Sequence, residues 1–352
     1  MRQDPPARRI LSLLLILGPL VVALDRADAT NDTVLFPLAA VALVPLAWLI
    51  GEATEQAARY TGPGVGGFLN ASFGNAPELI IALIALSNGL TDVVRASLTG
   101  SVVGNLLLVI GFVLVVGRPS PIDRKSAFVS LGTVSLATIV LFIAAAPGFH
   151  GNPDRRSLAV LSLPLAIGLL AMRIAVNTRL LRRQRSTQAA AATAVPADSW
   201  SFRRALIVLG VATVLTAFVT ETLVGSLEAF AEQVHLSNFF VAIVIVAIVG
   251  NITEHGSAVL LARRGQVRLA TEIGLASASQ VAAFLIPVVA ILSWTIDPLA
   301  LSLRPIELAG IGAAGLLASV ALLPGRTSRV AGAFLLGTYG VLVVAFYLAG
   351  DR

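Results

Sequence analysis

The sequence predicts an all-α polytopic membrane protein of about eleven transmembrane helices, with an inverted-topology repeat of two five-helix halves. Three observations predict it. Of the 352 residues, 57% are hydrophobic and only 12% charged, and mean hydropathy is +0.89, whereas a soluble domain carries about 25% charged residues. The apolar runs reach roughly 20 residues, the length a helix needs to cross hydrocarbon, and not the roughly 10-residue alternating strands of a barrel. Finally, Gly74-Asn75-Ala76-Pro77-Glu78 and Gly250-Asn251-Ile252-Thr253-Glu254 stand 176 positions apart, half the chain, and each places a carboxylate in an apolar run.

Taken in order, the first apolar segment covers 10–24. It follows Arg8-Arg9 and precedes Ala27-Asp28-Ala29, the outline of a signal peptide, but Asp25 and Arg26 interrupt that outline and favour an uncleaved helix. Segments 34–50 and 65–90 come next, the second holding Gly74 and Pro77. Glycine followed by proline is the punctuation between one helical piece and another, so a helix break is expected there. Segments 96–117, 127–146 and 158–178 complete the first half, and Arg173 lies close enough to a helix end to snorkel to the headgroups. The second half reads 205–224, 238–262, 269–294, 306–323 and 330–349. At Gly250 a break is less clearly written, because Ile252-Thr253 replaces Ala-Pro.

These segments define an extra N-terminal helix and outside loop over 1–33, a first repeat over 34–180, a cytoplasmic linker over 181–203 and a second repeat over 204–352. Five crossings per half force the halves to traverse the membrane in opposite senses. The same offset pairs Glu52 with Glu228 and Ser101 with Ser277.

The +6 net charge does not point to nucleic acid, because the basic residues sit mostly in short loops between apolar segments. With the N terminus in the cytoplasm, Arg118, Arg124, Lys125, Arg179, Arg182, Arg183, Arg185, Arg326 and Arg329 are among those gathered inside. Only Arg26, Arg95, Arg155, Arg156, Arg304 and Arg352 fall outside. Zero cysteines and three histidines leave oxygen as the ligand chemistry for any metal. No cofactor is expected, and no nucleophile arrangement suggests an enzyme.

An ionisable group deep in a bilayer costs about 2.5–3.5 kcal/mol on insertion scales, so such residues mark polar paths. Helical spacing sets Asn75 beside Glu78, Asn251 beside Glu254, Ser101 beside Asn105 and Ser277 beside Gln280. If those faces meet, they supply two carboxylates with amide and hydroxyl oxygens, the set a hard divalent cation such as Ca2+ accepts. Burial favours the protonated carboxylate and a cation the ionised one, so protons and metal compete for Glu78 and Glu254. Bare and doubly charged, such a site is costly to bury, which favours exchange over leak. Two readings stay open for Ser101, Ser277, Gly100 and Gly104: ligand neighbours, or small residues permitting close helix packing. His255 is either a proton relay beside Glu254 or a side chain hydrogen-bonded elsewhere. Glu52, Glu55, Glu221, Glu228, Glu232 and Glu272 read as hydrated interfacial charges.

The stretch Tyr60-Thr61-Gly62-Pro63 through Gly66-Gly67-Phe68-Leu69-Asn70-Ala71-Ser72-Phe73 into the Gly74 motif resembles the first signature of the calcium/proton antiporters, a branch of the calcium/cation antiporters. Gly100-Ser101-Val102-Val103-Gly104-Asn105, Glu221-Thr222-Leu223-Val224, and Val249-Gly250-Asn251 with Glu254-His255 extend the resemblance, followed by Ser277 and Gln280. It covers roughly 34 to 349. The resemblance implies ten core helices in a bacterial inner (cell) membrane and calcium export driven by inward proton flow. Glu78 and Glu254 are then the shared Ca2+ and proton sites, with Asn75, Asn251, Ser101, Asn105, Ser277 and Gln280 as oxygen-bearing neighbours. Two features depart from it: an arginine- and alanine-rich central connection instead of an acidic one, and Ala276-Ser277-Ala278-Ser279-Gln280 where Gly-Ser-Ser is more usual. A sodium/calcium exchanger and a passive cation channel are the competing readings.

Overall fold

A computed structural model describes residues 5–150, 152–188 and 200–351. Among these the backbone is helix and loop, with one isolated β-bridge between Pro121 and Arg326. The helices are α1 (Pro5–Leu14), α2 (Leu17–Arg26), α3 (Asp32–Phe73), α4 (Ala76–Ser87), α5 (Thr91–Val116), α6 (Arg124–Ala145) and α7 (Arg156–Gln188). After the connection come α8 (Phe202–Gly225), α9 (Leu227–Gln233), α10 (Asn238–Gly250), α11 (Ile252–Arg263), α12 (Val267–Thr295), α13 (Pro305–Leu322) and α14 (Arg329–Ala349). Eight helices among the described residues are long and apolar enough to cross a membrane, or nine if the pair α9 and α10, bent by 114°, counts as one span.

That count departs from eleven segments in three places. The 10–24 run is two ten-residue helices joined at Leu15–Ile16. The 65–90 run does not begin at a break: helical backbone continues from Asp32 to Phe73 across the glycine cluster and stops only at Gly74. The 238–262 run divides at Asn251.

Packing divides the chain into two compact units, and these cut it differently from the sequence halves. One unit comprises Met1–Ile84 with Ala171–Phe230, the other Ala85–Leu170 with Ala231–Arg352. In the first, α3 packs along α8 and α2 lies against both. Ile50, Ala53, Ala76, Leu209 and Ala212 form its buried cluster, and Phe36 stacks on Phe230 with ring centroids 4.4 Å apart. Polar side chains tie the unit at its ends. Thr222 Oγ1 donates to Asp25 at 2.6 Å, and the Tyr60 hydroxyl donates to the Trp200 carbonyl at 2.6 Å.

In the second unit α5 packs against α10 so closely that a Cβ on Gly100 would overlap the Ile243 carbonyl oxygen and press on Ala247. Glycine is required by that backbone approach. Gly104, one turn later, would meet nothing within 4 Å. Three stretches widen into π-helix: Gly104–Val109 in α5, Val241–Val246 in α10 and Val281–Leu285 in α12. The first and third lie in matching places of the two sequence halves. Such bulges shift the helix register by one residue and re-aim the side chains around them.

Candidate functional site

Each glutamate of the duplicated motif stands at the third position of a helix that begins at a break. In the first unit α3 stops at Phe73, Gly74 and Asn75 turn the chain, and α4 starts at Ala76. The Leu79 N–H donates to the Asn75 carbonyl at 3.0 Å, which makes Asn75 the residue entering the helix. Pro77 falls in the first turn, where its missing N–H costs nothing. Asn75 and Glu78 are 4% and 5% exposed.

In the second unit α10 stops at Gly250 and α11 starts at Ile252. His255 N–H donates to the Asn251 carbonyl at 3.0 Å, the same bond in the same register. No proline makes this break. Asn251 leaves helical geometry at φ −101°, ψ 11° and turns its N–H to Val249, while its own side-chain Nδ2 donates to the abandoned Ala247 carbonyl at 2.9 Å. A helix start leaves four N–H groups without intrahelical partners and carries partial positive charge, so a carboxylate in the first turn is stabilised there.

Asn251 is also the hub of a buried neutral network. Its Nδ2 donates to Ser101 Oγ at 2.8 Å, and its Oδ1 accepts from Asn105 Nδ2 at 3.1 Å. Asn105 Nδ2 donates in addition to Ser277 Oγ at 2.9 Å. Asn105 and Asn251 are both fully buried, Ser101 and Ser277 nearly so. Asn105 Oδ1 accepts no hydrogen bond from any described residue. Helices α5 and α12 and the break between α10 and α11 thus converge on one amide–hydroxyl cluster, with the π-turns of α5 and α12 starting beside Asn105 and just after Gln280. Neutral oxygens matter here because no three His, Cys, Asp or Glu side chains among the described residues gather as a metal site. A hard cation accepts neutral oxygens alongside carboxylates, which bind it more strongly.

The expected residues are therefore distributed. Ser101, Asn105, Asn251 and Ser277 come together in the second unit, to which Glu254, His255 and Gln280 also belong; Asn75 and Glu78 belong to the first. Glu254 Oε2 accepts from Thr253 Oγ1 at 3.0 Å, a partner that sequence reasoning missed. His255 Nε2 is buried without a hydrogen-bond partner among the described residues. Of the interfacial glutamates, Glu52 takes Arg8 and Gln56, Glu55 takes Arg59, Glu221 takes Arg26 and Glu272 takes Arg268.

Arg95 and Arg304, read from the sequence as outside residues, are 2% and 7% exposed. Arg95 donates to Asp154 and Asp92, each at 2.7 Å, and to the Ala300 carbonyl at 3.2 Å. Arg304 lies 3.6 Å from Asp92, sits over the Phe239 ring and donates to the Gly350 carbonyl. The available signal was Asp92 one turn before Arg95 in a segment otherwise apolar.

Membrane-length apolar helices, interrupted twice to present buried polar groups, define an integral membrane transport protein. A family model for sodium/calcium exchanger protein matches residues 31–176 and 204–348, two segments of nearly equal length on either side of the central connection. The chain belongs to that family. It is 37% identical over 328 residues to a Ca(2+)/H(+) antiporter ChaA of Bacillus subtilis, covering 90% of this chain and 93% of that one. It is 33% identical over 341 residues to a Ca(2+)/H(+) antiporter of Aphanothece halophytica, covering 90% and 91%. Among solved structures, native YfkE matches with a TM-score of 0.82 at 32% identity over 96% of this chain and 99% of that chain. The sodium-calcium exchanger NCX_Mj matches at 0.54 and 17% identity over 94% and 99%, a likeness of fold.

Proposed function

We propose that this chain exchanges cytoplasmic Ca2+ for external protons by alternating access, with cation and protons competing for Glu78 and Glu254. The observation that carries the reading is the repeated helix start: in each half an asparagine enters a helix and a glutamate follows in its third place. Relatives named Ca(2+)/H(+) antiporter, 32 to 37% identical, support the choice of ions. A carboxylate in a dry interior is stable when protonated or when beside a cation, and costly when bare. Both loaded forms are then near neutral and able to cross, whereas the empty form is held back. Asn75, Asn251, Ser101, Asn105, Ser277 and Gln280 lend neutral oxygen or orient those that do. We place the protein in the bacterial inner (cell) membrane with its N terminus in the cytoplasm, on the basic residues of its loops.

Ca2+ uptake into everted vesicles with an imposed pH gradient tests this. Uptake should collapse on adding a proton uncoupler and be indifferent to sodium. The family's description keeps a sodium-driven exchanger as the second reading, and uptake driven by a sodium gradient with the uncoupler present would establish it instead. Flux with no opposing gradient of either ion would establish a channel.

A further inference from the structure

A surface groove runs between α6 and α13. Two cavities, of about 570 Å³ and about 420 Å³, open along it and share Ser135 and Ser319, so they form one continuous trough. Its walls are apolar and outward-facing: Phe128 is 79% exposed and Leu316 65%. Its residues run along α6 from Arg124 to Phe142, about 27 Å at 1.5 Å per residue, nearly the thickness of the hydrocarbon core. In a membrane-spanning helix pair such a face meets lipid chains.

One end of the trough is strongly basic. The loop before α6 and the loop before α14 are tied together: Pro121 bridges Arg326, Ile122 N–H donates to the Gly325 carbonyl, and Thr327 N–H donates to the Ser120 carbonyl, both at 3.0 Å. This pairing gathers Arg118, Arg124, Lys125, Arg326 and Arg329, all exposed. The acidic residue among them, Asp123, is held by Arg268 at 2.7 Å. Arg124 lines the trough's mouth, donates from Nη2 to the Leu323 carbonyl at 2.8 Å, and has no carboxylate within ion-pairing distance among the described residues. The opposite end, at Phe142 and Ile311, carries no charge.

We propose that this trough is a binding site for one anionic phospholipid, with an acyl chain along α6 and the phosphate group on Arg124 and its basic neighbours. Charge complementarity selects the occupant: an apolar slot ending in unpaired cations at membrane depth matches a lipid whose chain and anionic head are joined. The site is independent of the transport reading.

Native mass spectrometry of the full-length protein tests it, with phosphatidylglycerol or phosphatidylcholine of identical chains added to the detergent-purified sample. One lipid should be retained, the anionic one favoured on the order of tenfold. Arg124→Gln with Lys125→Gln should erase that preference. Gly132 lines the larger cavity and Gly312 the smaller one, and a Cβ at either meets nothing within 4 Å. Gly132→Leu or Gly312→Leu therefore carries a side chain into the trough from an open Cβ position and improves helix propensity; either should remove the bound lipid while the protein stays monodisperse. Equal retention of both lipids by the unaltered protein, or retention unchanged in both leucine variants, would overturn the proposal. So would a dimer that Gly132→Leu dissociates, which would give the face to a second copy.

Discussion

At the start of α4 the break is made by Gly74, Asn75 and a proline in the first turn; at the start of α11 Ile252 and Thr253 occupy the equivalent places and the Asn251 side chain does the work. Both arrangements set a carboxylate in the third position, in the same hydrogen-bonded register. One route forbids helix continuation covalently, because proline has no N–H to give. The other replaces a backbone donor with a side-chain amide that also reaches Ser101 and is reached by Asn105. The second break is thus bound up with its surroundings through Ser101 and Asn105.

Four measurements would break or sharpen that comparison. The largest effect is expected from the carboxylates. If both serve as ion ligands, Glu78→Gln and Glu254→Gln each forfeit a charged partner worth about 3–5 kcal/mol, which is more than about 100-fold in affinity. Proton-driven Ca2+ uptake should fall accordingly in both variants while the purified protein remains folded. Loss in only one would show that the two helix starts share a shape and not a role.

Next comes Asn251→Ala, which strips donors and acceptors from Ser101, Asn105 and the Ala247 carbonyl at once. Buried polar groups left unpaired cost about 1–3 kcal/mol apiece, so a loss of about 2–4 kcal/mol in denaturant unfolding is expected. Thr253→Pro recreates at the second break the Ala76-Pro77 placement of the first. The substitution falls where an N–H is unused, so stability should move by no more than about 1 kcal/mol and uptake should persist. Loss of folding would mean the Thr253 hydroxyl, not the backbone register, holds Glu254.

The smallest effect belongs to an ordinary helix start at the aqueous edge. Asp123 caps α6, accepting from the N–H groups of Lys125 and Ser126 at 3.0 and 3.2 Å. Its carboxyl is held below the usual 3.8 by those backbone bonds first and by Arg268 after them. A lowered carboxylate contributes stability above its unfolded value and loses it as pH falls through the folded one. The difference in Tm between the parent protein and Asp123→Asn should therefore be full near neutrality and shrink below about pH 4.

Much of this was legible from the amino acids. Glu78 and Glu254 announce themselves because a charge in an apolar run has few structural excuses, and Gly74-Asn75-Ala76-Pro77 spells a helix boundary. The break at Asn251 was fainter, since an asparagine side chain bonding back to Ala247 looks like any other asparagine until α5 supplies its second partner. The π-turns that aim Asn105 and follow Gln280 leave no mark in local composition, because they arise where tertiary packing outweighs the regular helical register. The partners of Arg95 and Arg304 were hidden for a similar reason: charge bias sees arginine near a helix end, and only the fold brings Asp92 and Asp154 to it. The runs 34–50 and 65–90, read as separate segments, are joined by one helical backbone that continues to Phe73.

The contact at Gly100 has a mechanical consequence. With Ile243 backbone pressed where a side chain would stand, the helix carrying Ser101 and Asn105 and the one leading to Asn251 have no cushion between them over which to slide. Any side chain at position 100 would wedge those two backbones apart and, with them, the hydrogen bonds that join Ser101 and Asn105 to Asn251.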